Sequence, residues 1–242
     1  MMGRMDRPIA TAWSRYRRLS PGAHPPEDPA YRSTALRHPL QPLIEIPQTL
    51  SEVTGPSYPY DALGPVDDDL TRQHAAAPLG ERIIVEGRVL DENGRPVPRT
   101  LVEVWQANAC GRYAHEVDTH DAPLDPNFSG TGRTVTDEEG RYRFVTIKPG
   151  HYPWGNHENA WRPAHIHFSL FGPAFATRLV TQMYFPGDPL FAYDPIFQSV
   201  REPRARERLV AHFDLAETEP EWALGYRWDI VLRGREATPL EP

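Results

Sequence analysis

The chain has only one cysteine, Cys110, among its 242 residues, and it has no apolar run of membrane-spanning length. A single cysteine excludes an internal disulfide bond and fits a reducing compartment. The basic N-terminal segment, residues 1–32, lacks the apolar stretch of a secretory signal. Together these features predict a cytoplasmic protein.

The sequence also lacks a surplus of basic residues. It carries 26 Lys and Arg against 33 Asp and Glu, a formal net charge of −7. Nucleic-acid binding needs a basic face, so this balance disfavours that class of protein. No internal repeat and no glycine-rich phosphate-binding loop stands out. Proline is abundant, with 27 residues, and this argues against long helices.

Two regions differ in their sequence pattern. Residues 1–50 are rich in Pro, Arg and Ser without periodicity, and residues 51–80 are loop-like and punctuated by Gly and Pro. We therefore expect residues 1–80 to form an extended arm with loops, and the arm at residues 1–50 to be either disordered or laid on a partner surface. Strand signals begin at Glu81, so residues 81–242 are predicted to form the folded domain.

The fold class follows from short segments in which apolar residues alternate. Between residues 101 and 106, Val102 and Val104 share one face of the predicted strand, while Trp105 lies on the other. Tyr142 and Phe144 share a face after a turn at residues 137–140. The pattern predicts an all-β antiparallel β-sandwich with long functional loops. The loops are expected at 107–132 and 148–163, further strands at about 164–171, 178–185 and 226–233, and one short helix within 202–215, where Leu209, Val210 and Phe213 have helical spacing.

Two histidines separated by one residue lie in the predicted strand at 164–171. Ala164, Ile166, Phe168 and Leu170 are apolar and share one face, which predicts that this face meets the core. His165 and His167 then point together to the opposite face, where their ring nitrogens can hold one metal ion. The alternative is that they are ordinary polar residues on the outer face of a half-buried strand.

Spacing alone does not choose the remaining ligands. One carboxylate beside the two histidines would suit ferrous iron, a third histidine would suit zinc, and two phenolates would suit a ferric ion. Donors of all three kinds are found in the long loops: Glu116, Asp118, Asp121, Glu158, His115, His120, His151, His157, Tyr113 and Tyr152.

The motifs "RPAHIHF", "GRY" and "PGHYPW" resemble those of the intradiol ring-cleaving dioxygenases. The longer stretches "GERIIVEGRVLDENGRPVPRTLVEVWQAN", "APLDPNFSGTGR" and "IKPGHYPW" resemble the beta chains of the members that cleave protocatechuate. The likeness runs from about Tyr31 to "YRWDIVLRG", which is most of the chain. Several long motifs match in order, so the resemblance is far more specific than the two histidines.

The resemblance implies a non-haem Fe(III) site. By their positions in the motifs, the ligands would be Tyr113, Tyr152, His165 and His167. Tyr152 would also leave the iron and act as a base, and Arg162 would be a catalytic cation beside the iron. A structural salt bridge is the alternative role for Arg162. The substrate contacts implied by the family are Tyr31, Trp105, Trp154, Gln182 and Ile196.

The implied reaction is cleavage of protocatechuate, a dihydroxybenzoate, with dioxygen to 3-carboxy-cis,cis-muconate. The family also implies a hetero-oligomer, in which an alpha chain of similar fold lacks the iron ligands and lines part of the pocket. The arm at residues 1–80 would contact this partner. Three positions depart from the family pattern, and they put the substrate contacts and local charge in doubt: Cys110, Ala114 and Gly155.

Three other functions are also compatible with the sequence. Catechol and hydroxyquinol 1,2-dioxygenases use the same iron chemistry, although their helical N-terminal segment is disfavoured by the Pro and Gly content of residues 1–80. The segment "GRVLDENGRPVPRTLVEVW" also resembles non-enzymatic transthyretin-like binding sandwiches. A zinc hydrolase built on His165 and His167 is the third alternative.

Overall fold

The computed structural model describes residues 63–158, 161–171 and 178–240. Within these ranges the protein is built mainly of β-strands, which confirms the all-β prediction. The strands are β1 (Arg82–Leu90), β2 (Leu101–Trp105), β3 (Thr131–Val135), β4 (Arg141–Ile147), β5 (Tyr152–Pro153), β6 (Trp161–Arg162), β7 (His165–Phe171), β8 (Arg178–Tyr184), β9 (His212–Phe213), β10 (Leu224–Arg227) and β11 (Ile230–Val231). Tyr31 lies outside the described residues.

The strands form two larger sheets and a two-stranded ribbon. One sheet has the order β11-β1-β10-β9, with β4 also paired to β1. The other has the order β3-β2-β7-β8, and all of its pairs are antiparallel. The first sheet is mixed, because β1 pairs in parallel with β10 and β11. Strands β5 and β6 form the ribbon.

A shared hydrophobic core lies between the two larger sheets. The predicted alternation is confirmed in β2, where Val102 and Val104 are buried in this core. Tyr142 and Phe144 from β4 enter the core from the other sheet. The apolar face of β7 also packs there, with Ile166, Phe168 and Leu170.

The histidine face of β7 is buried as well. His165 is 2% exposed and His167 is 8% exposed, so the alternative of an outer, solvated face does not describe these side chains. The cover comes from the ribbon and the loop before β3, which bring Tyr152 and Tyr113 over this face. Sequence periodicity could not reveal that this face is buried, because the covering residues lie in a two-residue strand and a loop.

Three short helical segments follow β8. They are a 3₁₀ helix at Pro189–Ala192, α1 at Pro195–Ser199 and α2 at Pro203–Glu207. The helix predicted within 202–215 is therefore present, but it ends before Leu209. The backbone of Leu209 and Ala211 instead hydrogen-bonds to Tyr184 at the end of β8. These hydrogen bonds use backbone groups that a longer helix would have paired within itself.

Part of the predicted arm packs on the sandwich. Leu70 is fully buried in the core, and Asp69 forms a parallel bridge with Val145 of β4. The division of the chain at residue 80 stays a prediction, because residues 1–62 lie outside the described part. Among the residues that the structure describes, no helix is both long and apolar enough to cross a membrane.

Candidate active site

His165 is held in a form that can bind a metal ion. Its Nδ1 atom lies 2.7 Å from the carbonyl oxygen of Pro163 and donates a hydrogen bond to it, which leaves a lone pair on Nε2. Burial, followed by the nearby Arg162 and His167, keeps the pKa of His165 well below its ordinary value of 6.5. The imidazole is therefore neutral at physiological pH, as metal ligation requires.

His167 is fixed by its neighbours across the sheet. The register of β2 against β7 places Trp105 opposite His167, and the two rings stack with centroids 4.8 Å apart and planes 6° apart. On the other side, β8 places Gln182 opposite His167. The centroids of the His165 and His167 rings are 4.8 Å apart, so both imidazoles face one small volume.

The ribbon brings a phenol to the histidines. Tyr152 in β5 pairs with Arg162 in β6, and its Oη atom lies 3.2 Å from Nε2 of His165. Arg162 donates a hydrogen bond from Nη1 to the same phenol oxygen over 3.3 Å. The phenol oxygen therefore lies between a metal-binding nitrogen and a permanent cation.

The second phenol belongs to the loop between β2 and β3. The ring of Tyr113 meets the ring of Tyr152 edge-on, with centroids 5.4 Å apart. The backbone N–H of Tyr113 donates to the Asp118 carboxylate over 2.8 Å, which fixes the loop at this point. The four side chains of the predicted ligand set thus come together, although they derive from separate elements.

Two glycines allow the tyrosine loops to approach each other. Gly111 has a φ of 78°, and a Cβ atom added there would lie 1.9 Å from the carbonyl oxygen of His151. The carbonyl oxygen of Asn108 accepts hydrogen bonds from the N–H groups of both Gly111 and Gly150. The "CG" before Tyr113 and the "PG" before Tyr152 are therefore needed for backbone contact between the loops.

Among the described residues, Arg162 is the largest fully buried side chain, with 2% exposure. Its Nε atom lies 3.0 Å from Oδ1 of Asp194, and its Nη2 atom donates to Gln182, Tyr184 and the other oxygen of Asp194. The ring of Trp154 covers the guanidinium at 5.1 Å. The two roles considered for Arg162 are therefore both consistent with its geometry, because it contacts Tyr152 and also forms a buried salt bridge.

The partners of Arg162 are themselves oriented. Burial raises the pKa of Tyr184 well above its ordinary value of 10.0, although Arg162 acts to lower it. The neutral Tyr184 hydroxyl donates to Oε1 of Gln182 over 2.6 Å. Since this oxygen also accepts from Arg162, the amide of Gln182 has one orientation. Its buried Nε2 atom has no hydrogen-bond acceptor among the described residues.

The other predicted substrate contacts lie at different distances from this cluster. Trp105 and Trp154 pack directly on His167 and Arg162, as described above. Ile196 is buried in α1, and it lines a small cavity together with Gln182. Cys110 is exposed, and a Cβ atom added at Gly155 would meet nothing within 4 Å.

The alternative ligand sets do not assemble in the described ranges. No group of three His, Cys, Asp or Glu side chains is close enough there to hold a metal ion. Asp118 binds backbone N–H groups, His151 binds Asp188, and the ring of His120 packs against Trp161. Two imidazoles with two phenols are the donors that converge, and this set fits a hard, trivalent iron ion better than zinc or ferrous iron.

Sequence reasoning missed Asp194 and Tyr184, which orient Arg162, and Asp188, which binds His151. Both aspartates precede a proline in "GDPLFAYDPIF", and each is the N-cap of the short helix that follows. An Asp-Pro pair is a recognisable helix-start signal. The signal marks the cap, but it does not indicate that the same carboxylate also reaches the site.

Comparisons with known proteins identify the family of this chain. A family model described as "Dioxygenase" matches residues 53–234, and one described as "Protocatechuate 3,4-dioxygenase beta subunit N terminal" matches residues 16–49. The protocatechuate 3,4-dioxygenase beta chain of Burkholderia cepacia is 65% identical over 215 residues, which is 88% of this chain and 91% of that protein.

More distant relatives include the protocatechuate 3,4-dioxygenase alpha chain of Pseudomonas putida, which is 31% identical over 81% of this chain and 97% of that protein. Among solved structures, 3-chlorocatechol 1,2-dioxygenase of Rhodococcus opacus 1CP aligns with a TM-score of 0.52 at 26% identity. That alignment covers 76% of this chain and 72% of the other. The chain therefore belongs to the intradiol dioxygenase family, among the protocatechuate 3,4-dioxygenase beta chains.

Proposed function

We propose that the chain is the iron-bearing subunit of an enzyme that cleaves protocatechuate with dioxygen to 3-carboxy-cis,cis-muconate. The observation that carries the proposal is the convergence of Tyr113, Tyr152, His165 and His167 beside the buried guanidinium of Arg162. The relative that is 65% identical over most of the chain is a protocatechuate 3,4-dioxygenase beta chain, which supports this substrate over simpler catechols.

The four converging side chains would hold a non-haem ferric ion. Nε2 of His165 carries the lone pair that would bind the metal, because Nδ1 donates to Pro163. When bound, the ferric ion supplies Lewis acidity, which lowers the pKa of the catechol hydroxyls and draws electron density from the ring. Phenolate oxygens from Tyr113 and Tyr152 stabilise the trivalent state because they donate electron density strongly.

Tyr152 is the proposed catalytic base. Its phenol oxygen is the ligand atom that also lies within 3.3 Å of Arg162, and a guanidinium at that distance stabilises a phenolate. Tyr152 would leave the metal when the substrate binds and would accept a proton from one catechol hydroxyl. Tyr152 lies on a two-residue strand with loops on both sides. Tyr113 would remain bound.

Arg162 would stabilise negative charge that develops on the substrate ring. The guanidinium is buried, so its field is weakly screened by water. Four polar partners and the face of Trp154 hold it in place before the substrate arrives, so little reorganisation accompanies the reaction. Dioxygen then adds both of its atoms to the ring carbons, and the ring opens between the two oxygenated carbons.

The remaining pocket residues would select the substrate. Trp154 and Trp105 would form pocket walls, and Ile196 would pack on the ring. The Nε2 group of Gln182 would donate a hydrogen bond to the substrate. Tyr31, on the N-terminal arm, would bind the substrate carboxylate. Cations are needed near that carboxylate, because the chain is acidic overall.

The proposed partner is an alpha chain of similar fold, with which this chain would form a hetero-oligomer in the cytoplasm. The arm at residues 1–80 would contact the partner, and residues 81–242 would form the catalytic domain. The similarity to an alpha chain over 81% of the sequence supports two related subunits.

Oxygen uptake by the purified complex tests the proposal. We expect uptake with protocatechuate to exceed that with catechol or hydroxyquinol, and we expect one equivalent of iron and a visible phenolate-to-iron charge-transfer band. His165→Ala should lose the metal and the band, while His212→Ala, at an exposed histidine on the edge strand β9, should keep both. A colourless protein after iron loading would favour a binding sandwich. Stoichiometric zinc with hydrolysis and no oxygen uptake would favour the hydrolase.

A further inference from the structure

A second buried carboxylate, Asp188, connects the segments that carry two of the proposed ligands. Its side chain is 4% exposed and lies between β8 and the 3₁₀ helix. Oδ2 accepts a hydrogen bond from Nε2 of His151 over 2.8 Å and another from the backbone N–H of Ala164 over 3.0 Å. His151 directly precedes Tyr152, and Ala164 directly precedes His165. One carboxylate oxygen therefore bonds both to the residue before Tyr152, a proposed phenol ligand, and to the residue before His165, a proposed imidazole ligand.

The other oxygen of Asp188 fixes the carboxylate itself. Oδ1 accepts from the N–H of Leu190 over 2.9 Å and caps the 3₁₀ helix, so the side chain cannot turn away without losing this bond. The carboxylate is thus a rigid point on the sandwich. Of the two groups that donate to Oδ2, one is a backbone N–H and the other is the half-exposed side chain of His151.

The segment that carries Tyr152 has little regular secondary structure in the described part of the chain. Strand β5 has only two residues, and its partner β6 is equally short. Before β5, Gly150 donates to Asn108. After β5, the chain enters an irregular stretch up to residue 158. The hydrogen bond from His151 to Asp188 ties the start of β5 to the segment that follows β8, and it does not involve the Tyr152 side chain.

We infer that Asp188 is a positioning residue that acts through His151 to hold the backbone of Tyr152 in place while its side chain moves. This inference rests on the proposed function, in which Tyr152 alternates between ligand and base. Such a side chain needs a fixed backbone, because a 1 Å displacement of the whole segment would separate its oxygen from both His165 and Arg162. The tether confines the motion to the phenol.

Two variants at His151 and one control variant test the inference. His151→Ala removes the tether and leaves Asp188 with its helix cap and its bond to Ala164. His151→Gln keeps an N–H donor at nearly the same reach and is the matched rescue. His212→Ala is the control for loss of an exposed histidine elsewhere. The half-exposed position of His151 makes all three compatible with folding, which thermal unfolding verifies.

The first readout is hydrogen–deuterium exchange in the iron-free complex, so it does not depend on turnover. We expect His151→Ala to raise the exchange of residues 150–154 by about fivefold, the factor that one net hydrogen bond contributes to an opening equilibrium. His151→Gln and His212→Ala should exchange like the wild type.

The second readout is the charge-transfer band of the iron-loaded complex. His151→Ala should broaden and shift the band, because the phenolate of Tyr152 is then less ordered, and His151→Gln should restore it. Wild-type protein without any band would contradict the proposed function itself. A wild-type band together with unchanged exchange and an unchanged band in His151→Ala would refute the positioning role alone.

Discussion

The Nε atom of Arg162 lies 3.0 Å from Oδ1 of Asp194, and both side chains are almost completely buried. Burial alone would lower the pKa of Arg162, but Tyr184, Tyr152 and Asp194 together raise it above its ordinary value. The guanidinium is therefore charged at any physiological pH. Asp194 also caps α1, the helix that carries Ile196, so one carboxylate positions both the cation and a proposed pocket wall.

Asp194→Asn tests the contribution of this buried pair. An asparagine can still cap α1, but it leaves Arg162 without its counter-charge. Removing one partner of a buried pair costs about 3–5 kcal/mol. We expect a loss of unfolding free energy of that order and a fall in kcat for protocatechuate, measured by denaturant titration and oxygen uptake. The control is Glu219→Gln, which breaks the exposed pair with Arg143 and should cost less than about 1 kcal/mol. Equal effects of the two variants would contradict the assigned importance of Asp194.

Gly111→Ala tests the close contact between the tyrosine loops. The added methyl group would collide with the carbonyl oxygen of His151, and φ is positive at this position. Gly94→Ala is a matched control, because φ there is 75° but a Cβ atom would meet nothing within 4 Å. Gly94→Ala should cost about 1–2 kcal/mol from backbone strain alone. Gly111→Ala should cost about 1–3 kcal/mol more, through overpacking, and should also reduce iron retention.

Tyr113→Phe tests the second phenol ligand. The ring can keep its edge contact with Tyr152, so the fold should remain intact while one oxygen donor is lost. We expect iron affinity to fall by at least about 10-fold and the charge-transfer band to weaken and shift, both measured during titration with a chelator. Tyr193→Phe, at an exposed tyrosine, should leave both unchanged. An unaltered spectrum of Tyr113→Phe would remove Tyr113 from the ligand set.

The buried phenol of Tyr142 should make the free energy of unfolding depend on pH in the alkaline range. Burial, followed by the charges of Asp229 and Glu86, raises the pKa of Tyr142 well above its ordinary value of 10.0. Above pH 10 the unfolded chain therefore releases this proton while the folded protein keeps it. The free energy of unfolding should be independent of this group below pH 10 and should fall as pH rises further.

Tyr142→Phe isolates that contribution. It removes the hydrogen bond from the Tyr142 hydroxyl to the carbonyl oxygen of Trp228, which should cost about 1–3 kcal/mol near neutral pH. Between pH 10 and 11 the variant should lose stability less steeply than the wild type, as measured by urea titration at each pH. Parallel profiles of the two proteins would contradict the raised pKa.

Several features were predictable because they depend on neighbours along the chain. Alternation in β7 assigned the face of Ile166 to the core correctly, and alternation in β2 placed Val102 and Val104 on one face, since successive strand residues point to opposite sides. The two histidines were expected to face one volume for the same reason, and their rings do so. The choice of tyrosines as their companions came from resemblance, because loop positions carry no periodic signal.

Other features depended on contacts between distant segments. The helix predicted from Leu209 and Phe213 is shorter because residues 209–211 hydrogen-bond to Tyr184. The parallel pairing of β1 with β10 joins residues about 140 positions apart, and no local pattern encodes it.

The sequence by itself determined the main strands, the two faces of β7 and the order of the donor-bearing motifs, since these follow from side-chain alternation and from the chain itself. Only the tertiary structure decided that Asp194 neutralises Arg162 and that Asp188 joins the segments of Tyr152 and His165. The physical reason is that a buried charge must be paired with an opposite charge that folding brings beside it. Which group that is depends on how the sheets and loops pack together, and not on neighbours along the chain.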